Sequence, residues 1–406
     1  MVNSLRIFFA SAAWASLAQA WLPNDGTKTI TNRDGVNIFA RDVPSSGGTK
    51  SPRYLPSFSK VRGVNLGSQF IVEPWMSGAA WSSMGCSGQD SEWDCVKALG
   101  QAKANEAFKG HWSSWITEQD FDNMASYGLN TVRIPVGFWI HEELVNDGEY
   151  YPQGGLEYLL KICDWAASKG IYVIIDQHGA PGVQAVNNPF AGRKTADTQF
   201  YTKDNYNRGV EFVSWLANLT HTHNEMRTVG TIGVLNEPKN WDSKGIRDVE
   251  STLKATNPLH VQFMSSFWGS GSPEQHLPSG YSDVSFEDHR YLKWDTSVAV
   301  DHAAYISNSC TSDRSADGES PSFVTEFSLS PPDDVESSDS WAPDKQKDFY
   351  GDWFAAQVHG FEKSTSGWTF WSWKTDLGDY RWGYKDAVAA GVIPKDLGSL
   401  SSTVCG

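Results

Sequence analysis

"GTIGVLNEPKNW", residues 230–241, runs small and β-branched residues up to Asn236 and Glu237, and Pro238 then stops the pattern. It reads as a buried strand that carries an amide and a carboxylate to its end. An unpaired buried carboxylate is strongly disfavoured, so Glu237 must open on a cavity or be held there for chemistry. Similar runs recur on both sides: "KVRGVNL" from 60, "LNTVRIPVG" from 129, "IYVIIDQHG" from 171, "LHVQFMSSF" from 259, "DVSFEDHRY" from 283, "SFVTEFS" from 322 and "GWTFWSWK" from 367. With "VGTIGVLNE" from 229 there are eight. Helical patterns lie between them: "EAFKGHWSSWITEQDFDNMASYG", "LEYLLKICDWAASKG", "NYNRGVEFVSWLANLTHTH", "IRDVESTLKATN" and "APDKQKDFYGDWFAAQVHGFEKS". Alternation of this kind predicts parallel βα units, and eight of them predict an α/β fold closed as a (β/α)8 TIM barrel. The fifth and sixth units are the weakest, because "SGSPEQHLPSG" reads as loop rather than helix. An open doubly wound sheet is the alternative, but no Gly-rich phosphate loop follows the first strand.

The rest of the chain sets the context. Residues 1–20 carry Arg6, the apolar run "IFFASAAWASLA" and a small-residue end at Ala20, the pattern of a secretory signal peptide. Residues 21–59 are rich in Gly, Ser, Pro and Thr and read as a flexible N-terminal arm, leaving 60–406 as a single catalytic barrel domain with loop insertions. A formal net charge of -15 argues against nucleic acid or an anionic membrane as partner and suits a neutral substrate. The 19 tryptophans point the same way, since sugar rings lay their C–H faces on such rings. A secreted monomer without cofactor or metal is expected. Five cysteines imply two disulfides and a spare thiol. Cys86 with Cys95 and Cys310 with Cys405 is one pairing among several, with Cys163 left buried on a helix. Asn218-Leu219-Thr220 is a glycosylation sequon.

In such barrels the site is built at the C-terminal ends of the strands. Those ends carry Asn65, Arg133, His178, Asn236 with Glu237, His289 with Tyr291, Glu326 and Trp371. One charged strand end is ordinarily structural; polar or aromatic groups on seven of eight, aimed at one rim, are not. Two glutamates on well-separated strands match acetal hydrolysis, which needs an acid for the leaving oxygen and a carboxylate facing the anomeric carbon. A separation of about 5–5.5 Å would give retention. His221 and His223 have metal-ligand spacing but end a helix pattern. No "GxSxG" elbow supports an esterase. A sugar-binding module would have no need of both glutamates.

The order "TVRIPVGFW", "DQHG", "LNEP", "EDHRY", "TEF" and "GWTFWSWK" resembles glycoside hydrolase family 5 over roughly residues 60–385. The resemblance implies Glu237 as acid/base, Glu326 as nucleophile and Asn236 as donor to the sugar 2-hydroxyl. It also implies Arg133 as positioner of the nucleophile, His178, His289 and Tyr291 around the reacting sugar, and Trp371 as its floor. Lys239 departs from the smaller or neutral residues common after Pro238, which bears on the leaving-group side. Within the family, "VRGVNLGSQFIVEPWM" and "MGCSGQDSEWDCVKALGQ" resemble the first-loop insertion of fungal secreted endo-β-1,6-glucanases, implying a β-glucan polysaccharide substrate. The exo-β-1,3-glucanases share "FWSWKT" and are the alternative. For this chemistry Arg133 and Tyr291 should hold Glu326 below its ordinary pKa, while Glu237 should be raised. Trp75, Trp81 and Trp93 are candidates for outer sugar subsites, and Trp341, in the acidic loop after the seventh strand, is placed to reach the cleft. Trp112 and Trp115 read as core.

Overall fold

The computed structural model describes residues 58–238, 259–269, 271–277, 284–315, 319–400 and 404–406. The leader, nearly all of the arm, Lys239 and the helix expected at 246–257 lie outside them. Eight parallel strands close a barrel in which each pairs with its chain neighbours and the last with the first. They are β1 Val61–Asn65, β2 Thr131–Gly137, β3 Tyr172–Gly179, β4 Val229–Gly233, β5 His260–Met264, β6 Val284–His289, β7 Ser322–Glu326 and β8 Gly367–Phe370. Every strand residue except Arg62 is buried, as expected of parallel strands with both faces covered.

The ladder of β4 ends at Gly233, four residues before the expected end at Glu237. Val234 and Asn236 still donate backbone N–H bonds to Gln262 and Gln177. Glu237 then takes a left-handed backbone, φ 42°, which no regular strand accommodates.

The first βα connection is long. It carries α1 Gly78–Ser83, α2 Glu92–Leu99, α3 Gln101–Trp112 and α4 Glu118–Ser126. The helix expected over 106–128 is therefore two. Thr117 begins the second with a capping box closed by Asp120, whose carboxylate accepts from the Thr117 backbone N–H at 3.0 Å. Further round stand α5 Leu156–Ser168, α6 Lys203–Thr222, α7 His302–Thr311, α8 Lys347–Ser364 and α9 Tyr384–Ala389. Between β5 and β6 the described residues form only short 3-10 turns, Ser266–Trp268 and Pro273–His276, as expected of a weak fifth unit, whereas the sixth carries the regular helix α7.

Trp112 and Trp115 are buried in the main core, as expected. Trp81 is buried there too, and Trp93 packs against it. Trp341 does not reach the cleft: it is 4% exposed and packs on His302, Tyr305 and Phe349 between α7 and α8. The apolar face of α8 takes it because that burial outweighs what an exposed ring gains from water. Among the described residues no helix is long and apolar enough to cross a membrane.

Disulfides join Cys86 to Cys95 and Cys310 to Cys405, and Cys163 is a buried free thiol on α5 whose pKa burial pushes up. Peptide mapping without reduction is expected to recover both pairs, with Cys163 alkylated only after denaturation. Opening Cys310–Cys405, which closes a 95-residue separation, should cost about 2–5 kcal/mol in chemical unfolding. Recovery of Cys163 in a disulfide would contradict this arrangement.

Candidate active site

Arg133 stands in β2 beside Asn65 of β1, and its side chain is fully buried at the top of the barrel. Nη1 donates to Glu326 Oε1 at 2.8 Å and to Asn65 Oδ1 at 3.1 Å; Nη2 donates to Asn236 Oδ1 at 3.0 Å. One guanidinium thus fixes residues from β1, β7 and the end of β4. Burial works against its charge, but Asp176, Glu287 and Glu326 outweigh that and raise its pKa. Asn65 is held in turn by the Thr325 carbonyl, to which its Nδ2 donates at 2.8 Å.

Glu326 ends β7 in register with His289 at the end of β6. The Tyr291 hydroxyl donates to Glu326 Oε2 at 2.9 Å, and His289 Nδ1 lies 2.8 Å from Glu237 Oε1 and 3.5 Å from Glu326 Oε2. One oxygen of Glu237, one of Glu326 and the His289 nitrogen all lie within 4.8 Å of one another. The glutamates therefore face each other at the close spacing of a double-displacement pair rather than the wider gap that admits a water between them. They differ in access: the Glu237 side chain is 17% exposed and that of Glu326 6%.

The Glu326 carboxyl is not held low as expected. Burial, joined by the charge of Glu237, pushes it up to about 7, against the pull of His289, Arg133 and the Tyr291 hydroxyl. The depth of burial decides the sign. Asp176 goes the other way: its own burial is overcome by Arg133 and by His178, whose Nδ1 lies 2.8 Å from Oδ2. His178 itself is pushed down to about 4 by burial, so it is neutral near pH 7.

These groups open on a cleft of about 710 Å³. Its walls include His178, Asn236, Glu237, Tyr291, Glu326 and Trp371, six of the eight expected site residues. Arg133 and His289 stand behind that surface and act on it through their hydrogen bonds. Trp371 is 4% exposed and lies parallel to the His178 ring at 5.5 Å, packed against Met76, Trp382 and Tyr291. Asn236 Nδ2 is buried without a hydrogen-bond partner, so the amide retains a donor. Of the candidate outer tryptophans, Trp75 lines the cleft; Trp81 and Trp93 do not.

Sequence reasoning missed several cleft groups. Glu73 lies in the first loop, accepts from Trp75 Nε1 at 2.9 Å, and is pushed up to about 7 by burial and by Glu237, against the Trp75 bond. Its signal was an acid inside "IVEPWM", too short a clue to place it. Asp176 and Glu287 could have been found, because each stands two residues before a site histidine and so on the same strand face. Trp268, which donates to the Pro238 carbonyl at 3.0 Å, and Trp294, 63% exposed, complete the rim.

The profile of the cellulase family, glycosyl hydrolase family 5, matches residues 96–377. The chain is 50% identical over 95% of its length, and 96% of the relative's, to the glucan endo-1,6-beta-glucosidase B of Emericella nidulans. It is 48% identical, over 99% of its length and all of the relative's, to the probable glucan endo-1,6-beta-glucosidase B of Neosartorya fischeri. The rutinosidase structure from Aspergillus niger superposes with a TM-score of 0.67 at 19% identity, covering 82% of this chain and 97% of that one, a likeness of fold. The matched profile covers the span that carries Arg133, Glu237, Glu326 and Trp371, and the chain belongs to glycoside hydrolase family 5.

Proposed function

We propose that this chain is a secreted, retaining endo-β-1,6-glucanase in which Glu326 is the nucleophile and Glu237 the acid/base. The linkage rests on one observation, the half identity over nearly the whole chain to a relative named as a glucan endo-1,6-beta-glucosidase. The exo-β-1,3 alternative draws no comparable support. Secretion is supported by the leader pattern of residues 1–20 and by the two disulfides.

The geometry suits the roles. Glu326 receives two hydrogen bonds, from Arg133 and Tyr291, that favour its charged form at the moment of attack. Glu237, the more exposed of the pair, stands where a leaving chain departs and water enters. It protonates the glycosidic oxygen while Glu326 attacks the anomeric carbon, forming an ester. Glu237, left as a carboxylate by that proton transfer, then takes a proton from the incoming water, whose oxygen attacks the anomeric carbon and breaks the ester, freeing Glu326. Asn236 offers its unpartnered Nδ2 to the sugar 2-hydroxyl, and Trp371 lies beneath the ring. The two glutamates titrate as a unit, and the reactive form has one proton between them.

Glu326→Gln is expected to lose hydrolysis by at least several hundredfold while retaining fold and glucan binding; turnover near wild type would refute the assignment. For wild type, kcat/KM should rise with pH as Glu326 loses its proton and fall again as Glu237 loses its own. Glu237→Gln should be crippled on glucan, yet on an aryl glycoside with a good leaving group it should keep the acidic limb and lose the alkaline one. Azide should restore its turnover with retained configuration, and an inverted azide product would mean single displacement.

A product time course on linear β-1,6-glucan, linear β-1,3-glucan and cellulose tests the linkage. Short β-1,6 oligosaccharides should come first, with little from the other two polymers. Glucose as the sole early product from β-1,3-glucan would move the chain to the exo-acting alternative.

A further inference from the structure

Below the glutamate pair the barrel interior holds more acid than base. The fully buried Arg133 faces three carboxyl groups: Glu326 at 2.8 Å, Asp176 at 3.0 Å and Glu287, on β6, at 3.4 Å. His178 adds no charge near pH 7. Even with a charge on His289, which faces the same carboxyls, two cations would not offset three buried anions, so burial favours a proton among the three.

The contacts show which of them accepts it. Asp176 Oδ2 is paired with both Arg133 and His178, and Glu326 with both Arg133 and Tyr291. Glu287 has the poorest support for a charge. Arg133 approaches it through Nε, in a geometry that makes no hydrogen bond; the Thr325 hydroxyl donates to Oε2 at 2.8 Å, and Oε1 is buried with no partner. Burial, joined by the charge of Asp176, raises its pKa against the pull of Arg133, His289 and the Thr325 hydroxyl.

The surroundings favour a neutral acid. Strand register sets Asp176, Gly233, Gln262 and Ser285 side by side across β3 to β6. A Cβ at Gly233 would stand 2.6 Å from Asp176 Oδ1, so glycine is what admits that carboxylate. Gln262 and Ser285 are buried with unpartnered polar side-chain atoms, and Ser285 precedes Glu287 by two residues on the same strand face.

We propose that Glu287 is a positioning residue that remains protonated through the pH range of catalysis, leaving the charge of Arg133 to Asp176 and Glu326 while still seating the Arg133 Nε edge. The proposal rests on the reading of Glu326 as nucleophile. The charged or titratable groups acting on Glu287 are Arg133 from β2, Asp176 from β3 and His289 on its own strand; Glu326 of β7 shares Arg133 with it, His178 pairs with Asp176, and Glu237 after β4 meets His289. From β5 its register partner is Met264, with Gln262 below that and His260 lower still.

Glu287→Gln copies a neutral acid, and Glu287→Met removes the polar head. Glu287→Gln is expected to keep the acidic limb of kcat/KM within about 0.3 pH units of wild type, whereas Glu287→Met should lower kcat about tenfold or more with KM changed less than about threefold. A fall of the acidic limb by about one unit or more in Glu287→Gln would mean that an anion had been removed from beside Glu326, and would overturn the proposal. So would a Glu287→Met enzyme with the kinetics of Glu287→Gln. Carbon NMR of protein labelled at the glutamate carboxyls supplies a readout independent of activity and of the nucleophile's identity. The resonance missing from Glu287→Gln should sit at the protonated position and stay there between about pH 5 and 7. A deprotonated resonance there would refute the proposal even if Glu287→Met failed to fold, while Glu326→Gln separately decides the nucleophile.

Discussion

Everything at the top of the barrel depends on one buried guanidinium. Arg133 joins β1 through Asn65, β3 through Asp176, the end of β4 through Asn236, β6 through Glu287 and β7 through Glu326. Its planar fork lets one side chain point in several fixed directions, which a lysine ammonium on a flexible stem does not do. Removing one partner of such a buried ion pair typically costs about 3–5 kcal/mol, because the others are left charged and unpaired. The barrel is therefore most constrained where it must be most exact. The residue that fixes Glu326 also ties the neighbouring strands together.

Around that fixed floor the walls come from chain that the barrel itself does not require. The first βα insertion brings Glu73 and Trp75 to one side of the cleft, and the acidic loop after β7 brings Asp333 and Glu336 to another. The latter is pinned to the end of β6 by Lys293, whose Nζ lies 2.5 Å from Asp333 and 3.3 Å from Glu336 and donates to the Pro331 carbonyl at 2.9 Å. The Lys293 side chain is only 7% exposed, but that of Asp333 is 83% exposed, so water and salt screen this ion pair much as they do a surface one and the buried lysine's bond to the Pro331 carbonyl is the better anchor. Trp75 and Trp294 remain among the most exposed large apolar side chains described, both on the cleft. Rings left in water on a cleft, in a protein that buries so many others, suit a polymer that stays flexible between its sugars.

The barrel was legible because period and alternation are local. Each strand carries its own apolar run, and eight in order leave little choice of closure. What escaped was set by tertiary context. The end of β4 depends on a left-handed Glu237, the split helix on a capping box at Thr117, and the fate of Trp341 on the apolar face of α8. The site was legible to the extent that its residues fall at strand ends. Glu287 and Asp176 sit one pleat lower, where an acid reads as an ordinary strand residue until its buried neighbours are known. Glu73 arrives from a loop whose path has no periodicity to follow.

Depth of burial, which no sequence pattern reports, also reverses the expected electrostatics of Glu326. With Glu326 pushed up to about 7, burial favours a proton on the group proposed above to attack as an anion. The same burial raises Glu73 to a similar value, so three carboxyl groups of this cleft, Glu73, Glu237 and Glu326, lie under one another's influence. His289 Nδ1 lies within 3.5 Å of an oxygen on each of Glu237 and Glu326. Reactivity then follows from how one proton is divided between two glutamates rather than from either group's own acidity. A neutral glucan does not disturb that balance by its charge. Excluding water from Glu326 alone would only raise that carboxyl further, so what the glucan supplies is an oxygen basic enough to take a hydrogen bond from a protonated Glu237.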